Sequence, residues 1–360
     1  MLGRIVRAYL TVGRTFGAWL PPLVTFVLFS ILRTVMTVGW ALDPIFFPKL
    51  RGTKVVSPIV LVGNPRTGTT FLQRFLTDHG VGSGLELWRM LYSSLTIQAL
   101  IKPFLPFLEK VSPARHHSTV AHETSLTSVE TDDVSFMFRF FDGMFLYGFI
   151  LAFDEQDRVD LVDPRRRDTT RRDADWLEAL WRRSLVAHRS DRVVAKLFSL
   201  SAWLPTFLKR FPDARILYMV RDPLEVLPSA LSLTTGVLGK AFDFWGRPEA
   251  IKRRYIDRMV AGYTLLLRRF HDDYTSGAIP RENVYIVRYD RLMREFDVVM
   301  DEILAFTGTP KGSALADAIT AQAEKQRGYK SKHSYSLEQF GLDADAIRRD
   351  CAFVYEAFGI

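Results

Sequence analysis

The chain has 360 residues, room for one large domain or two small ones. Apolar residues make up 48% and charged residues 24%, which excludes wholesale disorder, and the single cysteine, Cys351, excludes an internal disulfide. A net charge of +8 favours an anionic partner, whether nucleotide, acidic membrane surface or nucleic acid, without choosing among them.

The first fifty residues stand apart. Thr15 to Leu32 is an uncharged run of 18 residues, and apolar character resumes after Arg33 as far as Leu42. A helix of about 20 apolar residues can cross a bilayer. Here Pro21-Pro22 interrupts the run near its start, and Arg33 falls near the middle of a Leu23–Leu42 span, where a charge is costly. Ser30, Arg33, Thr34 and Thr37 recur at helical spacing as a narrow polar stripe, and Arg4, Arg7 and Arg14 precede them. The pattern predicts a helix lying in a membrane interface with its basic residues toward the lipid headgroups. Packing on the domain or against a second copy in a homodimer is the plainer alternative, and a true crossing the third. No cleavage site of small residues follows the apolar run, so a removed signal peptide is not expected. The expected location is cytoplasmic, at a membrane surface. The boundary falls near residue 50: an N-terminal apolar segment at 1–50, then one domain at 51–360.

Beyond Pro48 the character changes. Ser57–Gly63 is a short apolar run ending in glycine, as a buried parallel strand would be. Arg192–Leu197, Arg215–Val220 and Val284–Val287 read the same way. Helical patterns cover Phe71–Leu76, Asp173–His188, Leu204–Phe211, Pro223–Leu233 and Ile251–Tyr274. Strands alternating with helices imply an α/β fold, a parallel sheet flanked by helices. The mixed-charge stretch from Arg165 to Asp173 reads as a solvated loop entering a helix.

Gly63 to Thr70 follows strand, G-x-x-x-x-G, helix. Glycines let successive N–H groups turn toward an anion, and the helix N-terminus adds partial positive charge. In nucleotide triphosphatases Lys and Ser/Thr follow the second glycine. Here Thr69 and Thr70 follow Gly68, while Arg66 supplies a planar donor fork inside the loop. That departure argues against an ordinary ATPase or kinase. A second unit, Val220-Arg221-Asp222-Pro223 with Ser229 in the helix beyond, closes another strand. Its Arg and Ser can converge on one phosphate at the carboxyl end of the sheet.

Pro65-Arg66-Thr67-Gly68-Thr69-Thr70-Phe71-Leu72 resembles the 5′-phosphosulfate loop of sulfotransferases that use 3′-phosphoadenylyl sulfate (PAPS). Arg221 with Ser229 resembles that family's 3′-phosphate motif. Val194–Ser199 resembles its Lys-containing strand, Arg288–Leu292 the segment whose Tyr lies near the adenine, and Gln326-Arg327-Gly328 the C-terminal Arg-Gly loop. Lys332–Ser336 with Phe340-Gly341-Leu342 resembles a tail of the larger bacterial members, so the resemblance spans about residues 57–358. It implies a P-loop-like sheet and PAPS as donor co-substrate. It further implies Arg66, Thr67, Gly68, Thr69, Thr70, Arg221, Ser229, Tyr289, Arg327 and Gly328 as donor-binding residues. Arg66 and Lys196 would take charge on the leaving phosphate. No metal is expected, since no Cys pair exists and His116-His117 lack partner spacing.

The general base is less sharply marked. Glu86, twenty residues after Arg66, matches the base carboxylate of tyrosylprotein-type members, and burial beside Leu87 and Trp88 would raise its pKa. Cytosolic members use a His further on, for which His117 and His122 are the candidates. Ala121-His122-Glu123 and Val129–Asp133 could wall the acceptor side. Phe136, Phe138, Phe140, Phe141, Phe145 and Phe149 suit a lipid or other apolar alcohol as acceptor, or simply a core. Two rivals stand beside this: a P-loop phosphotransferase, and a non-catalytic nucleotide-binding protein at a membrane. Nucleic acid is a poor partner, because the basic residues are dispersed among acids.

Overall fold

The computed structural model of the protein describes residues 1–112, 125–327 and 336–360. Four short strands, β1 (Ile59–Val62), β2 (Val194–Leu197), β3 (Arg215–Val220) and β4 (Val284–Arg288), form one sheet in the order β2-β1-β3-β4. Every pairing is parallel, and Leu61 sits between Lys196 and Leu217. Helices separate successive strands and an apolar helix lies near the N-terminus, so the α/β, P-loop-like class expected from the sequence is the one adopted. β1 is buried at every residue, which is why it reads as an unbroken apolar run instead of an alternation.

The chain divides into two compact units. One comprises Met1–Val55, Leu85–Ser190 and Leu233–Gly262; the other comprises Val56–Gly84, Asp191–Ser232 and Tyr263–Ile360. The apolar N-terminal residues 1–50 thus share a unit with two later stretches of the chain.

In the first unit, α1 (Leu2–Phe16) ends at Gly17, whose φ of 71° gives a left-handed cap. α2 (Leu20–Phe46) comes next. Pro21 and Pro22 do not interrupt it; they occupy its first turn, where a missing N–H breaks no helical bond. The C-terminal half of α2 is keyed into the unit. Asp43 is fully buried and accepts from Ser94 Oγ (2.7 Å), Thr96 N (2.9 Å), Thr96 Oγ1 (2.9 Å) and Arg183 Nε (2.8 Å). Gly39 permits this close approach: a Cβ there would stand 2.5 Å from Ser94 Oγ. The outer face of α2 is different. Leu23, Val27, Ile31, Val35 and Val38 are exposed, and the helix is long and apolar enough to cross a membrane. The hydroxyls of Ser30, Thr34 and Thr37 donate to carbonyls four residues back, which removes much of the polarity of the stripe.

Two of the leading arginines do not face outward as expected. Arg4 pairs with buried Asp142 at 3.2 Å and donates to Phe141 O, and Arg7 pairs with Asp154 at 3.2 Å. Asp142 also takes Arg167 (2.5 Å) and Arg172 (2.8 Å), so part of the Arg165–Asp173 stretch is tethered and not simply solvated. Burial pushes the Asp142 carboxyl up, but these three guanidiniums outweigh it and hold it below the usual range.

In the second unit, Ile59, Leu61, Leu217 and Met219 share one sheet face with Leu72, Phe75 and Leu76 of α3 (Thr69–Asp78) and with Phe296, Met300 and Ile303 of the helix Phe296–Thr307. The period-two spacing on the strands and the three-to-four spacing on the helices are the two halves of one buried layer. Tyr218, at the alternate strand position, stacks on Phe270. This layer fixes the carboxyl ends of β1 and β3, where the Gly63–Thr70 loop and the Arg221-Asp222-Pro223 unit begin.

Candidate functional site

Between Val62 and Thr69 the chain must turn sharply. Gly63 (φ 140°), Arg66 (φ 72°) and Gly68 (φ 90°) all take positive φ. Gly68 is doubly constrained: a Cβ there would also meet the Tyr289 ring at 3.0 Å. Thr67 Oγ1 donates to Asn64 O at 2.8 Å, and Asn64 Nδ2 donates to Tyr263 O at 3.1 Å, which pins the turn from inside. Thr67 and Thr69 are buried. Thr70, in the first turn of α3, accepts from Lys196 Nζ at 2.9 Å. Lys196 is buried on β2, so its charge is delivered to the helix start with little solvent screening.

The second motif closes on the first. Arg66 Nε donates to Ser229 Oγ at 2.9 Å, and Arg221 Nη1 donates to Arg66 O at 2.9 Å. The Arg221 guanidinium lies 4.2 Å from the Tyr289 ring centroid and pairs with Glu225 at 2.6 Å. Asp222 accepts from Leu224 N (2.9 Å) and Tyr355 Oη (2.7 Å), which fixes the start of the helix Pro223–Phe242. Thus Arg66, Gly68, Arg221, Ser229 and Tyr289, far apart in sequence, form one connected group. Thr70 and Lys196 form a second contact at the start of α3. Helix N–H groups, two guanidiniums and an ammonium in this arrangement suit a multiply charged anion. Arg327 ends the helix Ser313–Arg327 and is exposed; Gly328 and Lys332–Tyr335 lie outside the described residues.

Glu86 belongs to the first unit, where it precedes the short helix Leu87–Leu91. Its Oε1 lies 3.1 Å from His188 Nε2, and its Oε2 lies 2.7 Å from Arg89 Nε. The Arg89 contact is an ion pair without an aligned hydrogen bond, which leaves Oε2 buried and able to accept one more. His188 Nδ1 lies 3.0 Å from Ser184 O. Two oxygens therefore face the two ring nitrogens and fix the orientation of the ring beside Glu86. The expected rise in the Glu86 pKa does not occur. Burial does push the carboxyl up, but the His188 hydrogen bond and the Arg89 charge outweigh it and lower it. His188 carries no local motif and escaped the sequence reading; Arg89, three residues on in a helical register, was legible in principle.

His116, His117, His122 and Glu123 lie outside the described residues. In the Val129–Asp133 segment two of the acids are tied into the interior by hydrogen bonds. Asp132 accepts from Trp181 Nε1 at 2.7 Å and Asp133 from Thr131 Oγ1 at 2.9 Å, both buried. Phe136 is core, whereas Phe138, Phe140 and Phe145 pack half-buried against Phe29, Trp176 and Phe149. Among the described residues no group of three or more His, Cys, Asp or Glu side chains is placed to hold a metal ion.

Residues 58–312 match the model of the sulfotransferase family. Over 312 residues the chain is 25% identical to the omega-hydroxy-beta-dihydromenaquinone-9 sulfotransferase Stf3 of Mycobacterium bovis, covering 79% of this chain and 75% of that protein. The same protein from Mycobacterium tuberculosis matches equally. Among solved structures, sulfotransferase STF1 of Mycobacterium tuberculosis superposes with a TM-score of 0.67 at 18% identity, covering 98% of this chain and 90% of that one. Sulfotransferase STF9 of Mycobacterium avium gives 0.64 at 18% identity, covering 88% and 80%. These two likenesses speak to the fold.

Proposed function

The chain belongs to the sulfotransferase family, and from that premise we propose that it moves a sulfuryl group from PAPS to a hydroxyl of an apolar, lipid-like acceptor. The observation that carries the donor half is the bond from Arg66 to Ser229 together with that from Arg221 to the Arg66 carbonyl. The 5′ loop and the 3′-phosphate motif are thereby coupled side chain to side chain, as one nucleotide with phosphates at both positions would require. Tyr289, beneath Arg221 and against Gly68, is the surface on which the adenine would stack. Arg327 and Gly328 complete the donor contacts in this proposal.

In the reaction, the acceptor oxygen attacks sulfur, the bond from sulfur to the 5′-phosphate oxygen breaks, and adenosine 3′,5′-bisphosphate leaves. Arg66, Lys196 with Thr69 and Thr70, and the N–H groups of the α3 start stabilise the charge on that phosphate. Glu86 takes the acceptor proton, and Oε2 is the oxygen assigned to it, since Oε1 is engaged by His188. His122 is the alternative base. An acceptor with a long apolar body fits the half-buried phenylalanines of the first unit. It also fits the name of the mycobacterial relative, an omega-hydroxy-beta-dihydromenaquinone-9 sulfotransferase. The exposed apolar face of α2 supports a position on the membrane surface, where such an acceptor resides.

Calorimetry with adenosine 3′,5′-bisphosphate, against ATP with magnesium, tests the donor. Tight ATP binding with no bisphosphate binding would favour a phosphotransferase and end this proposal. Labelled PAPS incubated with lipid extracts tests the acceptor. A wild-type protein that binds the bisphosphate yet labels nothing in them would favour a non-catalytic nucleotide-binding role.

A further inference from the structure

We propose that the cleft bordered by Trp40, Arg139 and Trp176 in the first unit holds the phosphate of an anionic membrane lipid. The proposal rests on the reading that α2 lies on a membrane surface, and extends it from an apolar contact to a headgroup site.

Arg139 is half-buried, and its described contacts are aromatic. Its guanidinium lies 5.8 Å from the Trp40 ring and 5.3 Å from the Trp176 ring, and those two rings stack 5.1 Å apart. Other partly buried arginines of this unit have carboxylates: Arg183 has Asp43, and Arg4, Arg167 and Arg172 share Asp142. Among the described residues no carboxylate pairs with Arg139. Burial, and then the charge of Arg33 on α2, hold its guanidinium below the ordinary value. A partly desolvated cation that also feels a second positive charge is stabilised by an anion brought to it.

The walls of the cleft suit a phosphate more than an isolated charge would. Arg171 and Arg172 border it and Thr169 adds a hydroxyl. Two carboxylates also border it, Asp168 and Asp175. Asp168 is engaged locally, accepting from Thr170 N (2.9 Å) and Thr170 Oγ1 (2.7 Å). Position argues for a lipid source. Arg33 and Trp40 lie two turns apart on α2, the helix whose outer face exposes Leu23, Val27, Ile31, Val35 and Val38. Tryptophan and arginine beside an apolar helix face are the side chains that settle at headgroup depth.

Flotation of the full chain tests this, using vesicles of phosphatidylcholine alone and vesicles containing phosphatidylglycerol. The wild type is expected to bind both and to bind the anionic vesicles more tightly. Arg139→Gln should weaken anionic-vesicle binding about fivefold, the size of one arginine–lipid contact, and leave phosphatidylcholine binding unchanged. Arg253→Gln, an equal charge change at an exposed ion pair with Asp257, should weaken it far less. Unchanged adenosine 3′,5′-bisphosphate binding and thermal midpoint will show that Arg139→Gln is folded. Binding to neither vesicle overturns both the membrane reading and the site. Phosphatidylcholine binding with no Arg139-dependent increment, or an equal loss in Arg253→Gln, overturns the site alone. Competition by inorganic phosphate at low concentration would make it a soluble-anion site, and a lipid-free dimer dissociated by Arg139→Gln would make it an interface; either overturns the lipid assignment.

Discussion

Arg66 combines a backbone penalty with a ligand-side charge, and the two can be separated by substitution. Its φ of 72° is left-handed, which costs an L-residue about 1–2 kcal/mol. Its bond to Ser229 at 2.9 Å returns about 0.5–1.5 kcal/mol net. Arg66→Ala loses the bond and keeps the strain. Arg66→Gly loses the bond and the strain, but gains about 0.5–1 kcal/mol of unfolded-state freedom. The difference favours glycine by about 0–1.5 kcal/mol, or up to about 2 °C in Tm for a chain of this length, the reverse of the order found in an ordinary helix. Donor binding should behave differently. Both variants lack the guanidinium, so both should bind adenosine 3′,5′-bisphosphate about ten- to 150-fold more weakly, as loss of a charged contact worth about 1.5–3 kcal/mol predicts. Differential scanning fluorimetry and calorimetry on the same preparations give both numbers. An alanine variant more stable than the glycine variant refutes the strain argument. Wild-type affinity in both variants removes Arg66 from the donor site.

The remaining predictions concern the other groups. Gly68→Ala should lose about 1–2 kcal/mol to its positive φ and bind the bisphosphate poorly; adding Tyr289→Ala should relieve the ring contact but not the backbone, as thermal midpoints of the single and double variants will show. Glu86→Gln should lower kcat by about 10²–10⁴ with donor affinity unchanged, measured by turnover and calorimetry. His188→Ala removes a hydrogen bond that holds Glu86 ionised while burial remains, so the acid limb of the kcat/KM profile should move to higher pH; an unmoved limb would detach His188 from the base. Asp43→Asn should destabilise by about 3–5 kcal/mol in chemical unfolding, because it leaves Arg183 buried without its carboxylate. Burial raises the Asp43 carboxyl, but Thr96, Ser94 and Arg183 lower it further. Its stabilisation is therefore complete above the unfolded carboxylate pKa and fades as pH falls through the folded one, a dependence the Asn variant should lack.

What the sequence by itself determined was local in origin. Four apolar runs ending near Gly, Arg-Asp-Pro or helix formers marked the strands; β1, β2 and β3 are almost wholly buried, and a strand buried on both faces admits little that is polar. Gly63, Gly68 and the threonines after them marked a turn into a helix, because positive φ and a free helix start each need particular residue types. Arg66 in one motif, and Arg221 with Ser229 in another, could be picked out as candidate phosphate ligands. Only the tertiary structure joined them: the strand order brings β1 beside β3, and so sets the Arg66 guanidinium against Ser229, 163 residues away. The same limit explains the errors. Arg4 and Arg7 looked like headgroup contacts because their partners, Asp142 and Asp154, lie more than 130 residues on. Glu86 looked like a raised carboxyl because Leu87 and Trp88 are its neighbours in sequence, whereas His188 is its neighbour only in space. Short-range sterics and burial are written in neighbouring residues. Charge pairing depends on distance in the fold, so the lowered pKa of Glu86, the anchoring of α2 and the bonding of Arg66 to Ser229 and Arg221 were decided by the tertiary structure.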